Sequence, residues 1–224
     1  MPCHYARLSV KSRSMTSPVT EDHTLRPALE SLSLSDPDLG RAFSLAGLPP
    51  IRRSDEGFSG LIRMIAGQQV STASAAAIIR RLETSLQRVS AEAFLRLQDS
   101  DLKEIGFSRA KMRYGRALAG MIAAGDLRPE EWQKMEDDEV IAALTAVPGI
   151  GRWTAEIYLL FALGRPDVWP AGDLAVVKAL MAVKGLEERP SEKELRRMAE
   201  AWRPHRSAAA RLLWPYYRHA GLAL

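Results

Sequence analysis

The chain has 224 residues, 46% of them hydrophobic, and its 31 Lys and Arg outweigh 27 Asp and Glu for a formal net charge of +4. That length suits one domain or two small ones with a buried core, and the longest apolar run, 157–163, is far shorter than the ~20 residues that span a bilayer, so no membrane partner is expected. The single cysteine, Cys3, excludes a disulfide framework, a cysteine-ligated zinc site and a four-cysteine iron–sulfur cluster, while the excess of positive charge leans towards a polyanionic partner.

Residues 1–20 carry Arg7, Lys11 and Arg13 with several serines and no acidic residue. They show no amphipathic period and read as a disordered tail ahead of a helical domain over 21–224. From there the signals are helical, and period-two strands are nearly absent. The spacing predicts helices over 71–86, 90–97, 108–124, 137–146, 151–163, 174–183, 191–202 and 206–219. Short turns between helices of this length indicate an all-α fold. Within 108–124, Tyr114, Leu118, Met121 and Ile122 share one face, and Arg109, Arg113 and Arg116 share another. No acidic residue follows until Asp126, so a stripe facing phosphate competes with the ordinary reading of a solvated face. The segment 192–224 is also basic, with seven Lys and Arg against three Glu. His4, His23, His205 and His219 are scattered without metal-ligand spacing.

The stretch 144–180 carries most of the chemistry. Val147-Pro148-Gly149-Ile150-Gly151 makes a tight turn before a helix opening at Arg152. Its glycines permit backbone angles closed to other residues, and Ile150 can pin the turn to the core. The unpaired N–H groups at the helix start add partial positive charge. The result is an anion nest with no side chain to read a base, which suits a nucleic-acid phosphate. The segment 101–109, with its single glycine at Gly106, looks like a degenerate second copy. After Pro170-Ala171-Gly172, Asp173 opens the next helix. An aspartate there is a cap, and the helix N-terminus favours its charged form. An antiparallel return would bring this fixed carboxylate back towards the nest.

VPGIGRWTAEIYLL followed by DVWPAGDLAVVKAL resembles the helix–hairpin–helix, Gly/Pro-rich loop and aspartate signature of a DNA glycosylase superfamily. The upstream Gly67-Gln68-Gln69-Val70-Ser71 resembles another element of it. Within the superfamily the chain is most similar to bacterial 3-methyladenine DNA glycosylase II. The resemblance implies two helical subdomains flanking a cleft, and a monofunctional hydrolase that releases alkylated purines from double-stranded DNA in base excision repair. It implies Asp173 as the catalytic carboxylate, and a pocket of Trp153, Trp214, Phe58 and Leu174 around a flipped-out base. An indole face suits a cationic base through cation–π attraction of roughly 1–2 kcal/mol. Gly149, Gly151, Arg152, Thr154, Gln68 and Gln69 are the implied DNA contacts, with the two glutamines in the region that wedges into the duplex. The backbone carbonyls of Thr145, Val147 and Ile150 are the implied ligands of a monovalent cation, sodium or potassium. No cofactor is otherwise required.

Trp153 stands where lyase-active relatives carry a nucleophilic lysine, which implies a hydrolase that leaves an abasic site. Ile157 and Leu174 stand where the best-known bacterial relative has tyrosines, so the pocket is less aromatic. Only about 55 residues precede the shared core, and they read as helical or loose in place of a β-rich domain. A monomer is expected, cytoplasmic and nucleoid-associated in a bacterium and nuclear in a eukaryote. Two alternatives stay open on the residues alone: a glycosylase for deaminated or oxidised bases, and a non-catalytic helix–hairpin–helix DNA-binding module.

Overall fold

Serines start four of the helices. Ser71, Ser90, Ser108 and Ser191 each stand just outside a helix, and each hydroxyl accepts from the backbone N–H three residues on, satisfying an amide that the first turn leaves unpaired. In this computed structural model, which describes residues 20–222, twelve α-helices follow in chain order. They are α1 (Arg26–Ser35), α2 (Pro37–Ala46), α3 (Gly57–Gly67), α4 (Thr72–Ser85), α5 (Ala91–Arg96) and α6 (Asp99–Ile105). The second half holds α7 (Arg109–Ala124), α8 (Asp137–Thr145), α9 (Arg152–Phe161), α10 (Leu174–Lys184), α11 (Glu192–Ala199) and α12 (Arg206–His219). Short 3₁₀ turns precede α1 and α8 and follow α11. The described residues hold an isolated bridge between Glu21 and Pro50 but no strand. None of these helices is long and apolar enough to cross a membrane. The tail expected over 1–20 lies, apart from Thr20, outside the described residues.

All eight expected helices form, with ends that match or shift by one or two residues; 191–202 finishes in a 3₁₀ turn over Glu200–Trp202. Four helices were not individually expected. α1 and α2 lie in the stretch read as helical or loose, each opening with a proline at its first turn. α3 buries Phe58, Leu61, Ile62, Ile65 and Ala66 and keeps Ser59 and Arg63 on its outer side, but it holds three glycines, which disfavour a helix, and no side chain caps its start. α6 has only seven residues, too few to show one. It completes the device seen in the sequence, since Gly106 ends it in the left-handed region at φ 107° and α7 starts three residues later.

The core divides in two. One part gathers α3 to α8 around Ile62, Phe94, Leu118 and Leu144. The other gathers α1, α2 and α10 to α12 around Leu29, Val177, Leu195 and Leu213. α9 belongs to both: Ala155, Tyr158 and Leu159 face the first, and Ile157, Leu160 and Phe161 face the second. Tyr158 is fully buried, and its hydroxyl accepts from the Gly57 N–H at 2.6 Å, tying the start of α3 to α9. In the second lobe Lys184 Nζ donates to both oxygens of Asp36 at 2.7 Å, and Trp202 Nε1 donates to one of them at 2.8 Å. That joins α10, the cap of α2 and the 3₁₀ turn after α11.

Candidate active site and nucleic-acid interface

The hairpin between α8 and α9 is anchored from below. Val147 and Ile150 are buried in the first core, while Pro148, Gly149 and Gly151 are exposed. Gly149 takes φ 85°, and a Cβ built on it would stand 2.3 Å from Tyr114 Cδ2 of α7. Both backbone angle and close approach therefore require glycine at 149. Gly151 does not share this reason: its φ is −91°, and a Cβ there would meet nothing within 4 Å. Its bare backbone leaves open space before α9, whose N-terminus has no side-chain cap.

The expected DNA contacts are placed unevenly. Gln68 Nε2 donates to the Gly149 carbonyl at 2.8 Å, so this side chain is bound to the hairpin. Gln69 beside it is exposed and, among the described residues, is the non-glycine residue with positive φ, 53°. Arg152 is exposed and donates from Nε to Glu156 Oε1 at 3.0 Å. The Thr154 side chain is buried, so a contact at this position would be made through its backbone. Among the described residues, the Thr145 and Ile150 carbonyls accept no backbone hydrogen bond outside the helices, and that of Val147 accepts the Ile150 N–H at 3.1 Å. These three neutral oxygens suit a monovalent cation, a hard ion that takes oxygen donors.

The chain returns from α9 through a turn closed by the Asp173 N–H on the Pro170 carbonyl at 2.9 Å. A Cβ on Gly172 would stand 3.8 Å from Trp153 Cβ, so the return ends against the first turn of α9. Asp173 caps α10 and is 8% exposed. Its Oδ1 accepts the Ala175 and Val176 N–H groups at 3.0 Å each and the Trp214 indole N–H at 3.2 Å. Its Oδ2 accepts the Trp153 indole N–H at 3.1 Å. A carboxylate has about four acceptor positions, two per oxygen. Oδ1 is filled by three donors, while Oδ2 keeps room for another group.

Trp153 and Trp214, expected to offer their faces, thus meet at Asp173 through their edges. Trp153 as a residue is still 46% exposed, so it keeps surface open to solvent beside Asp173. Trp214 packs against Phe161 with ring centroids 5.3 Å apart. The Arg52 guanidinium lies 4.4 Å from the Phe161 ring and 5.9 Å from that of Trp214. Burial pushes the pKa of Arg52 below its usual value, and the charge of Asp173 opposes that shift. Leu174 is exposed beside Asp173. Phe58 is not brought there: it is buried in the first core, edge-on to Phe94 at 5.5 Å, because the apolar α3 turns it inwards. Arg52, Phe161 and Tyr114 are neighbours that sequence reasoning missed. Phe161, four residues after Ile157 on α9, could have been found by helical spacing; Arg52 has no local signal.

Behind the hairpin helix lies a buried acid. Glu156 is 2% exposed, with Arg196 Nη1 at 2.9 Å and Arg152 Nε at 3.0 Å from Oε1, while Oε2 has no partner. Burial pushes its pKa up, and the two arginines pull against that shift.

Comparison with known proteins gives this geometry a context. A family model described as "HhH-GPD superfamily base excision DNA repair protein" matches residues 62–204. DNA-3-methyladenine glycosylase 1 of Schizosaccharomyces pombe is 32% identical over 163 residues, 71% of this chain and 72% of that protein. A putative DNA-3-methyladenine glycosylase of Bacillus subtilis is 32% identical over 123 residues, 55% of this chain but only 43% of that protein. Among solved structures, the S. pombe 3-methyladenine DNA glycosylase in complex with abasic DNA superposes with a TM-score of 0.74 at 30% identity, covering 85% of this chain and 95% of that one.

Proposed function

The chain belongs to the HhH-GPD superfamily of base excision DNA repair proteins, and from that premise we propose that it is a monofunctional DNA glycosylase. It hydrolyses the N-glycosidic bond of alkylated purines, 3-methyladenine first and 7-methylguanine with it, in double-stranded DNA. The observation that carries this reading is Asp173: a carboxylate fixed by four N–H donors, with one oxygen open, beside the exposed Trp153. The hairpin amides and the exposed glycines hold a phosphate, and the target nucleotide turns out of the stack.

An alkylated purine is cationic, so the Trp153 face attracts it by stacking and cation–π energy. As the bond to the sugar stretches, positive charge builds on the deoxyribose ring, and the anionic Oδ2 stabilises it without reorganising. The same oxygen orients or deprotonates the attacking water. No lysine occupies position 153, so no amine attacks the sugar and the strand stays uncut at the abasic site. The three hairpin carbonyls would hold a monovalent cation that adds positive charge beside the bound phosphate.

The test is incubation with methylated genomic DNA and chromatography of the released bases. Free 3-methyladenine and 7-methylguanine, with an alkali-labile but uncut strand, are expected. A second reading, a glycosylase for deaminated bases, is favoured by one observation: the Arg52 cation over Phe161 and near Trp214 disfavours a cationic guest. Release of hypoxanthine in preference to both methylated bases would select it.

A further inference from the structure

The basic stripe on α7 does not survive intact. Arg116 Nη2 donates to Asp99 Oδ1 at 2.6 Å and to the Leu97 carbonyl at 2.9 Å, so it is spent within the fold. Lys111 is buried, and its Nζ donates to the Ala66 carbonyl at 2.7 Å, at the end of α3 just before Gln68 and Gln69. Two cations remain, both in the first half of the helix. Arg109 and Arg113 are exposed, and neither has a carboxylate partner among the described residues.

Their place relative to the hairpin gives them a task. Tyr114 packs directly beneath Gly149, and the Arg113 guanidinium lies 5.4 Å from the Tyr114 ring. Arg113 is therefore one side chain away from the hairpin turn, and Arg109 lies one helical turn before it on the same face. The Gln68 bond to the Gly149 carbonyl and the Lys111 bond to Ala66 join the loop at 68–69 to the same frame. Loop, hairpin and the start of α7 form one continuous rim.

We propose that Arg109 and Arg113 are a second phosphate-binding point, gripping the DNA backbone beside the phosphate held by the hairpin. The occupant is duplex DNA because the two guanidiniums extend the surface already assigned to it, and guanidinium–phosphate pairing suits their geometry. The inference rests on the DNA-binding part of the proposed function and not on its chemistry. The degenerate hairpin at 101–109 then has the work of its intact counterpart done by side chains: with one glycine at Gly106 and no second before the helix, it supplies cations where the other supplies bare amides.

The experiment measures the affinity of the full chain for a duplex holding a tetrahydrofuran abasic-site analogue, by fluorescence anisotropy from low to moderate salt. Each phosphate contact contributes a slope of about −0.9 in log K against log[salt]. The Arg109→Gln/Arg113→Gln variant should flatten that slope by about two units, and each single variant by about one. Arg41→Gln, an equal charge loss per residue on α2 in the other lobe, should leave it unchanged. Slopes for the α7 variants equal to that of Arg41→Gln overturn the proposal, as does a wild-type chain that binds no DNA. Base release from methylated DNA is measured alongside: a wild type that binds with the expected slopes but releases no base overturns the glycosylase reading and leaves this one standing.

Discussion

Two of the donors that hold Asp173 are local and two are not. The backbone N–H groups of Ala175 and Val176 would cap any helix opened by aspartate, whereas the Trp153 and Trp214 indoles arrive from α9 and α12. Asp173→Asn keeps the cap and loses the charge. Base release should fall by about 10²–10³-fold or more, on the scale of removing one preorganised electrostatic group, while the affinity for abasic-site DNA stays near wild type. Unchanged release in a single-turnover assay would sink the mechanism. Trp153→Phe and Trp153→Ala separate edge from face. Phe retains a stacking surface but loses the N–H on Oδ2, so release should slow by roughly tenfold, the order expected for a charge-assisted hydrogen bond; Ala loses both and should be slower still. Equal rates for the two variants would show that the face contributes nothing. At the hairpin, Gly149→Ala must displace Tyr114 and adopt φ 85°, at a cost of about 1–3 kcal/mol in stability. Gly151→Ala has neither problem. It should leave the melting temperature unchanged and weaken DNA binding alone, because its Cβ enters the open space where the proposed phosphate would sit.

At the scale of elements, α9 and α11 meet through the buried Glu156. Its folded pKa is raised from 4.5, by burial first, with Arg196 and Arg152 opposing. The native state therefore holds this proton to higher pH than the unfolded chain. Stability is highest when the group is protonated and falls as pH rises from about 4.5 through the raised value. Glu156→Gln lacks this titration. In chemical denaturation across pH 4–8, wild type should lose stability relative to Glu156→Gln as pH increases; a flat difference would show that the arginines compensate the buried charge fully. Helix boundaries were legible at this scale wherever a cap is local, as at Ser71, Ser90, Ser108 and Ser191. They were not legible in α3, whose start has no side-chain cap and where Gly57, Gly60 and Gly67 weaken the local helix signal. The stripe at Arg109, Arg113 and Arg116 follows from helical geometry, but which of the three stays free depends on Asp99 and on the Leu97 carbonyl, from neighbouring elements.

For the whole molecule, α9 is the structural joint. With residues in both cores, it should make the two lobes unfold together, so calorimetry should give one transition whose calorimetric and van't Hoff enthalpies agree. Two resolved transitions would mean that each lobe stands alone. Tyr158→Phe tests the joint directly. It leaves the Gly57 N–H without its acceptor, which should cost about 1–3 kcal/mol. The same burial that excludes water pushes the Tyr158 phenol up to about 12, so it remains a neutral acceptor throughout the working pH range.

The sequence by itself determined the all-α class, most helix ends, the hairpin turn and the carboxylate at the start of α10. Each of these depends on interactions within about four residues along the chain, and glycine, proline, serine and aspartate each leave a mark there. Only the tertiary structure decided which groups surround the carboxylate. Trp153 and Trp214 lie 20 and 41 residues from Asp173, and nothing in their neighbours says that they present edges to it. It also decided that Phe58 turns into the core, that Gly149 rests on Tyr114, and that Gln68 is bound to the hairpin. Contacts of this kind follow from how two lobes close around a shared helix, and the period of any one segment cannot encode them.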